Sequence, residues 1–278
     1  MKPLKLPALA AALTVLSGGV AAACDRMEKV VAVWLPIMQT TAYYVALEEG
    51  LFEKACIEVA SNKLEAPNQI IDALVGARAD FGPPGAAAGI AMLAESKFPG
   101  TFKVFGLQGG GVKVGLINDG LIVKADSDIK SFADLRGKKL GHVPGIQWRT
   151  ISRHMVRSVG LDPEKDVTLV DLAVGMQVPA VIGGSVDATL SLEPVGSVAV
   201  ASGQAKRAIT NPVAQVIADP FYSGVSLLTL KFLKERPQAA KKVVESSTRP
   251  RNWPMTTSTN TSRSFRNTRR SAPISSIS

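Results

Sequence analysis

Short runs of apolar, β-favouring residues alternate along this chain with segments whose apolar residues return every three or four positions, and the alternation starts again near the middle. This order constrains the fold more than any other feature. A strand, a helix and a further strand connect most readily as a parallel pair with the helix on one face of the sheet. The first series reads as a strand at Val30–Leu35, a helix at Thr41–Lys54, a strand at Ile57–Ala60 and a helix at Asn68–Ala77. A short strand at Ala79–Gly82 follows, then a turn at "GPPGAAAG", an alanine-rich helix at Ala86–Glu95 and a strand at Phe102–Leu107. After a glycine-rich passage, Gly109 to Gly115, strands are expected at Leu121–Lys124, Lys139–Val143, Val167–Leu172, Ala188–Leu192 and Arg207–Thr210. Between them lie a short helix from Ser131 with a capping-box relative at Asp134, and helices at Gln147–Val159, Gln177–Ile182 and Val195–Ala201. Ser226–Leu230 reads as a strand returning to the first half, and Pro237 opens a last helix at its favoured early position. The expected fold is α/β with two lobes, 24–118 plus 212–246 and 119–211, and a crevice where the carboxyl ends of the strands meet.

The formal charge of +9 does not describe this body. Residues 1–24 carry two lysines and no acid, and 247–278 carry six arginines and no acid, so the interior is close to neutral with both signs interspersed. Nucleic acid is therefore not an expected partner. Lys2 and Lys5, the apolar stretch Leu6–Leu16 and the small residues Ala21–Ala23 form a cleavable signal peptide over 1–23; the stretch is too short to span a bilayer. At the other end, the helical pattern is expected to fail after Glu245. Residues 247–278 are rich in Ser, Thr and Arg, and read either as a disordered basic tail or, the preferred expectation, as the product of a reading-frame error that replaced C-terminal helices.

Two cysteines are present, Cys24 and Cys56. Cys24 follows the expected cleavage point, which makes it either a lipid-modified first residue or one half of a disulfide. Ala21 stands where a lipobox prefers leucine, and both cysteines precede strands, so a Cys24–Cys56 disulfide in an oxidising compartment is favoured.

Enzyme signatures are not matched. Val114 occupies the third glycine's place in a G-x-G-x-x-G reading, and Gly183–Asp187 ends in the wrong residue for G-x-S-x-G. His142 and His154 have no ligand cluster around them, so no metal, cofactor or catalytic residue is assigned.

Five phrases carry a resemblance: "YYVALEEGLFEKACIEV" (43–59), "IIDALVGARADFG" (70–82), "DSDIKSFADLRGKKLGHVPG" (126–145), "GLDPEKDVTLVDL" (160–172) and "VIGGSVDATLSLEP" (181–194). In this order and spacing the chain resembles the substrate-binding proteins of nitrate/sulfonate/taurine-type ABC importers, a superfamily that includes pyrimidine-precursor binders. The resemblance implies a two-lobed, type II-like periplasmic-binding fold, lacking the family's C-terminal helices. It implies a monomeric periplasmic receptor, peripheral to the membrane, that closes on a small solute and delivers it to a permease driven by an ATPase. The alternatives are an enzyme on the same fold, of pyrimidine-synthase or menaquinone-pathway lyase type, and an exported sensor module.

The candidate pocket is read from the turns after the strands. Pro144-Gly145 ends one strand and begins a helix whose first N–H groups suit an anion, with Gln147, Trp148 and Arg149 adding an amide, an aromatic wall and a guanidinium. Arg153 and Arg157, further along, read as a solvated face. The first half contributes Pro36, Gln39, Thr40 and Thr41, then Pro84 and Gly85, then Gln108 and Gly109, whose glycines serve either a ligand or a hinge. Glu193, before Pro194, matches a phrase that lies near ligand in similar proteins. Tyr43 and Tyr44 are candidates for a pocket wall or for the core. The expected solute is a small anion.

Overall fold

The computed structural model describes residues 24–248. The expected signal peptide lies outside the described residues, as does the tail beyond Thr248 to which the reading-frame expectation attaches. The first series is built from β1 (Glu28–Trp34), α1 (Thr41–Glu48), α2 (Leu51–Lys54), β2 (Ile57–Lys63), α3 (Pro67–Val75), β3 (Phe81–Ala87), α4 (Ala88–Lys97) and β4 (Phe102–Gly110). The second contains β5 (Asp119–Lys124), β6 (Lys138–His142), α5 (Ile146–Arg157), β7 (Val167–Asp171), α6 (Gln177–Ile182), β8 (Ala188–Leu192), α7 (Val195–Ala201) and β9 (Ala205–Thr210). The chain closes with α8 (Pro212–Val216), β10 (Phe221–Thr229), α9 (Leu230–Glu235) and α10 (Pro237–Thr248).

Two five-stranded sheets result, ordered β2-β1-β3-β10-β4 and β7-β6-β8-β5-β9. The order is the same in both if each is counted from its own first parallel strand. β1 and β6 are flanked by parallel partners on both sides, and β10 and β5 enter antiparallel between the third and fourth strands. The inserted strand of each sheet follows a crossing from the other, so the halves are joined by 111–118 and 211–220. The backbone of the first crossing is tied to a side chain of the second. Asn211 Oδ1 accepts from Asn118 N at 2.7 Å, and Asn211 Nδ2 donates to Leu116 O at 2.9 Å.

Four sequence expectations change. The helix expected over Thr41–Lys54 is two helices, because Gly50 takes a left-handed conformation (φ 61°) that ends one and begins the other. "GPPG" does not turn the chain. β3 continues through it, and its register with β10 jumps from Gly82↔Leu227 to Ala86↔Val225, which accommodates Pro83 and Pro84 in the irregularity where no ladder donor is needed. The short helices α8 and α9 were not anticipated, both being too short to show a period. Nor does the last helix fail after Glu245: Ser246 and Ser247 are buried in it, and Ser246 Oγ donates to Leu51 O.

One apolar cluster lies between the first sheet and α1, α2 and α10, with Tyr43, Phe52, Phe81 and Val243 in it. A larger one runs from Val33, Ile70 and Leu227 of the first half to Leu140, Val143, Trp148 and Met155 of the second, so the two halves are in apolar contact. Cys24 and Cys56 are joined by a disulfide that fastens the start of the described chain to the start of β2. Among the described residues no helix is long and apolar enough to cross a membrane.

Candidate functional site

The loops after β1, β6 and β8 lie at the carboxyl ends of parallel strands, and those after β1 and β8 meet each other. Met38 N donates to Glu193 O at 2.6 Å, joining the turn after β1 to the end of β8. Gln39, buried, donates through Nε2 to Asn118 Oδ1 (2.8 Å) and to Ser223 Oγ (3.0 Å). Gln147, in the first turn of α5, reaches from the second sheet to the first. Its Oε1 accepts from Gly89 N in α4 at 2.7 Å, and its Nε2 donates to Ser223 O in β10 at 3.0 Å. Gly145, the N-cap of α5 at φ 105°, lies against α3: an added Cβ would approach Asn68 Oδ1 to 3.3 Å.

Of the expected residues, Gln147 bonds across the boundary between the halves and Glu193 does so through its carbonyl, while Gly145 lies against α3, Gln39 bonds Asn118 and Ser223, and buried Thr40 is bonded to Leu35 O. Pro36 is half-buried in the same turn. Thr41 is exposed and caps Met38 O. Pro84 and Gly85 lie within β3 on the backbone. Gln108 pairs with Gly224 across the β4–β10 ladder, and its Nε2 donates to Ser226 Oγ. Gly109 has a packing reason for lacking a side chain: an added Cβ would sit 1.9 Å from Phe221 O. Trp148, 2 % exposed, belongs to the larger apolar cluster. Tyr43 and Tyr44 pack with Trp34 and Phe52, and burial pushes the Tyr43 hydroxyl up to about 12.

The charged residues are already engaged. The guanidinium of Arg149 is bonded to Asp171 at the end of β7, and that of Arg153 to Glu164. Glu193, 4 % exposed, is bonded to Arg207, while its second oxygen accepts from Ser197 N at 3.0 Å. Near it, buried Asp119 accepts from Val213 N and Asn118 Nδ2. Burial raises its carboxyl above the usual range, and the Glu193 charge adds to the shift. His142 is buried with Nδ1 2.9 Å from Val143 O, and burial lowers its pKa.

Sequence reasoning missed Asn118, Arg207, Ser223 and Gly89. Asn118-Asp119, polar residues directly before an apolar strand, were the one local signal; the other three acquire meaning only through the partners that folding brings them.

Residues 114–256 match the family described as NMT1/THI5 like, just over half of the chain. The chain belongs to this family. The matched stretch holds the second sheet, both strands that follow the crossings, and α10. No curated protein matches the chain in sequence. Among solved structures, this NMT1/THI5-like chain is similar to the alkanesulfonate-binding protein SsuA from Xanthomonas axonopodis pv. citri, with TM-score 0.63, 16% identity, and 81% of this chain and 73% of that one covered. It is similar to the periplasmic nitrate-binding protein NrtA from Synechocystis PCC 6803, with TM-score 0.64, 16% identity, and 82% and 62% covered. The desulfurization enzyme DSZB is a further neighbour, with TM-score 0.56, 18% identity, and 80% and 75% covered. At these identities the likeness establishes the fold, the two-lobed α/β fold of periplasmic binding proteins.

Proposed function

We propose that this chain is the extracytoplasmic receptor of an ABC importer, clamping a small solute between its two sheets and delivering it to a membrane permease. One observation carries the reading: Gln147 of the second half bonds Gly89 N and Ser223 O of the first, and Met38 N of the first bonds Glu193 O of the second, so polar groups from both halves line the boundary between them. A solute that bonds to both walls favours the closed arrangement over the open one, and that difference is what a permease reads. The fold neighbours named for sulfonate and nitrate binding support this role, and the leader expected over residues 1–23 supports a periplasmic location. The halves are taken to move as 24–118 plus 212–246 against 119–211, about the paired crossings.

The sequence reading gives the solute a negative charge with Arg149 as partner. In the folded chain an anion gains Arg149 only by displacing Asp171. The fold of the desulfurization enzyme keeps catalysis as the second reading, with Glu193 the acid to test. Titration calorimetry with sulfonates, nitrate, carboxylates and neutral solutes, followed by mass analysis of the recovered compound, separates them. The receptor reading expects one unaltered solute per chain; product formation that requires Glu193 would end it.

A further inference from the structure

Gln147 is a side chain that bridges the two halves. Its carboxamide closes a pair of bonds to two backbone groups of the first half, Gly89 N–H and Ser223 C=O. Gly89 N–H is in the first turn of α4, where no intrahelical acceptor exists. Ser223 C=O lies where the β10–β4 register shifts, between Phe221↔Gly110 and Gly224↔Gln108, and it accepts from Gln147 Nε2 at 3.0 Å. One wall of the crevice therefore presents a donor and an acceptor together, and a single carboxamide satisfies both. Gly89 keeps the donor accessible: a Cβ there would stand 3.0 Å from Gln147 Oε1.

The surroundings are amide-like and charge-matched. Gln39 donates to Ser223 Oγ, and Gln108 lies opposite Gly224 with a buried Oε1 that has no partner among the described residues. Arg149 is neutralised by Asp171, while Arg207 faces the Glu193 carboxylate with Asp119 close behind. An anion entering here meets the Ser223 carbonyl, with the Arg149 and Arg207 guanidinium groups already bonded to carboxylates.

We infer that the solute is uncharged and carries a carboxamide or ureide edge, which replaces the Gln147 carboxamide between Gly89 N–H and Ser223 C=O. The inference deepens the receptor reading and rests on it. A carboxylate or sulfonate of the same shape supplies acceptors alone and leaves Ser223 C=O facing an oxygen, at a cost of roughly 10- to 100-fold in affinity.

The test uses the full chain and two variants. In Gln147→Ala the bridge is lost, and small-angle scattering should show a larger radius of gyration than wild type. Propionamide at millimolar concentration should restore the compact form and raise Tm, whereas propionate and methanesulfonate should not. Gln147→Glu keeps the size and one acceptor but sets oxygen against Ser223 C=O. It should be open at neutral pH and close as the carboxyl protonates in acid, which answers the case in which Gln147→Ala fails to fold. Equal rescue by the anions, or a Gln147→Glu chain as compact as wild type at neutral pH, would overturn the inference. Stoichiometric capture of nitrate or a sulfonate would end it while keeping the receptor reading; turnover of a bound amide would end the receptor reading and keep the amide specificity.

Discussion

Glu193 holds the Arg207 guanidinium with one oxygen and the Ser197 amide with the other, and both side chains of the ion pair are largely buried. A charge left alone in such a place is costly. Arg207→Leu should lower stability by about 3–5 kcal/mol in urea unfolding, and the double variant Arg207→Leu, Glu193→Met should recover most of the loss, because the desolvation penalty disappears with the pair. His142 makes a pH-dependent contribution of known sign. Burial depresses its folded pKa below the ordinary 6.5, so the unfolded chain binds the proton more readily. The stability it supports is present above 6.5 and is lost as pH falls through the folded value. His142→Asn, which keeps a donor towards Val143 O without a titrating ring, should flatten the fall in stability between neutral pH and pH 5; an unchanged slope would remove His142 as its source.

At the scale of elements, the alternation of strand and helix was legible because its periods are local. Val195–Ala201, Ala188–Leu192 and Gln177–Ile182 stand where the apolar spacing put them. The failures were also physical. An apolar period does not register a break at one glycine, so Thr41–Lys54 read as continuous while Gly50 splits it. With only Glu53 Oε2 at 3.6 Å from an added Cβ, Gly50→Ala should cost about 1–2 kcal/mol through backbone conformation alone. "GPPG" read as a turn because prolines cannot donate to a ladder, yet a neighbouring strand with a shifted register makes no such demand. The Cys24–Cys56 link closes a loop of sequence separation 32 between the segment before β1 and the start of β2. Its reduction should lower stability by about 2–4 kcal/mol, read as a shift in the urea midpoint between oxidised and reduced chains.

Across the whole molecule, two sheets of identical strand order are coupled through the crossings, where Asn211 clamps Asn118 N and Leu116 O from a left-handed backbone position (φ 48°). Asn211→Gly keeps that conformation open to the chain while deleting the clamp. Amide exchange at Asn118 should then quicken by about 5- to 10-fold, corresponding to ~1 kcal/mol of lost hydrogen bonding. What the sequence determined by itself was the class of fold and the doubling of the pattern, since both are written in spacings of a few residues. The tertiary structure alone decided that Arg149 serves Asp171, that Trp148 belongs to the core and that Gln147 meets Ser223. Those outcomes depend on pairings such as Gln39 with Ser223, separated by 184 residues, and spacing along a chain carries no information about which distant partner a polar group will reach once both are out of water.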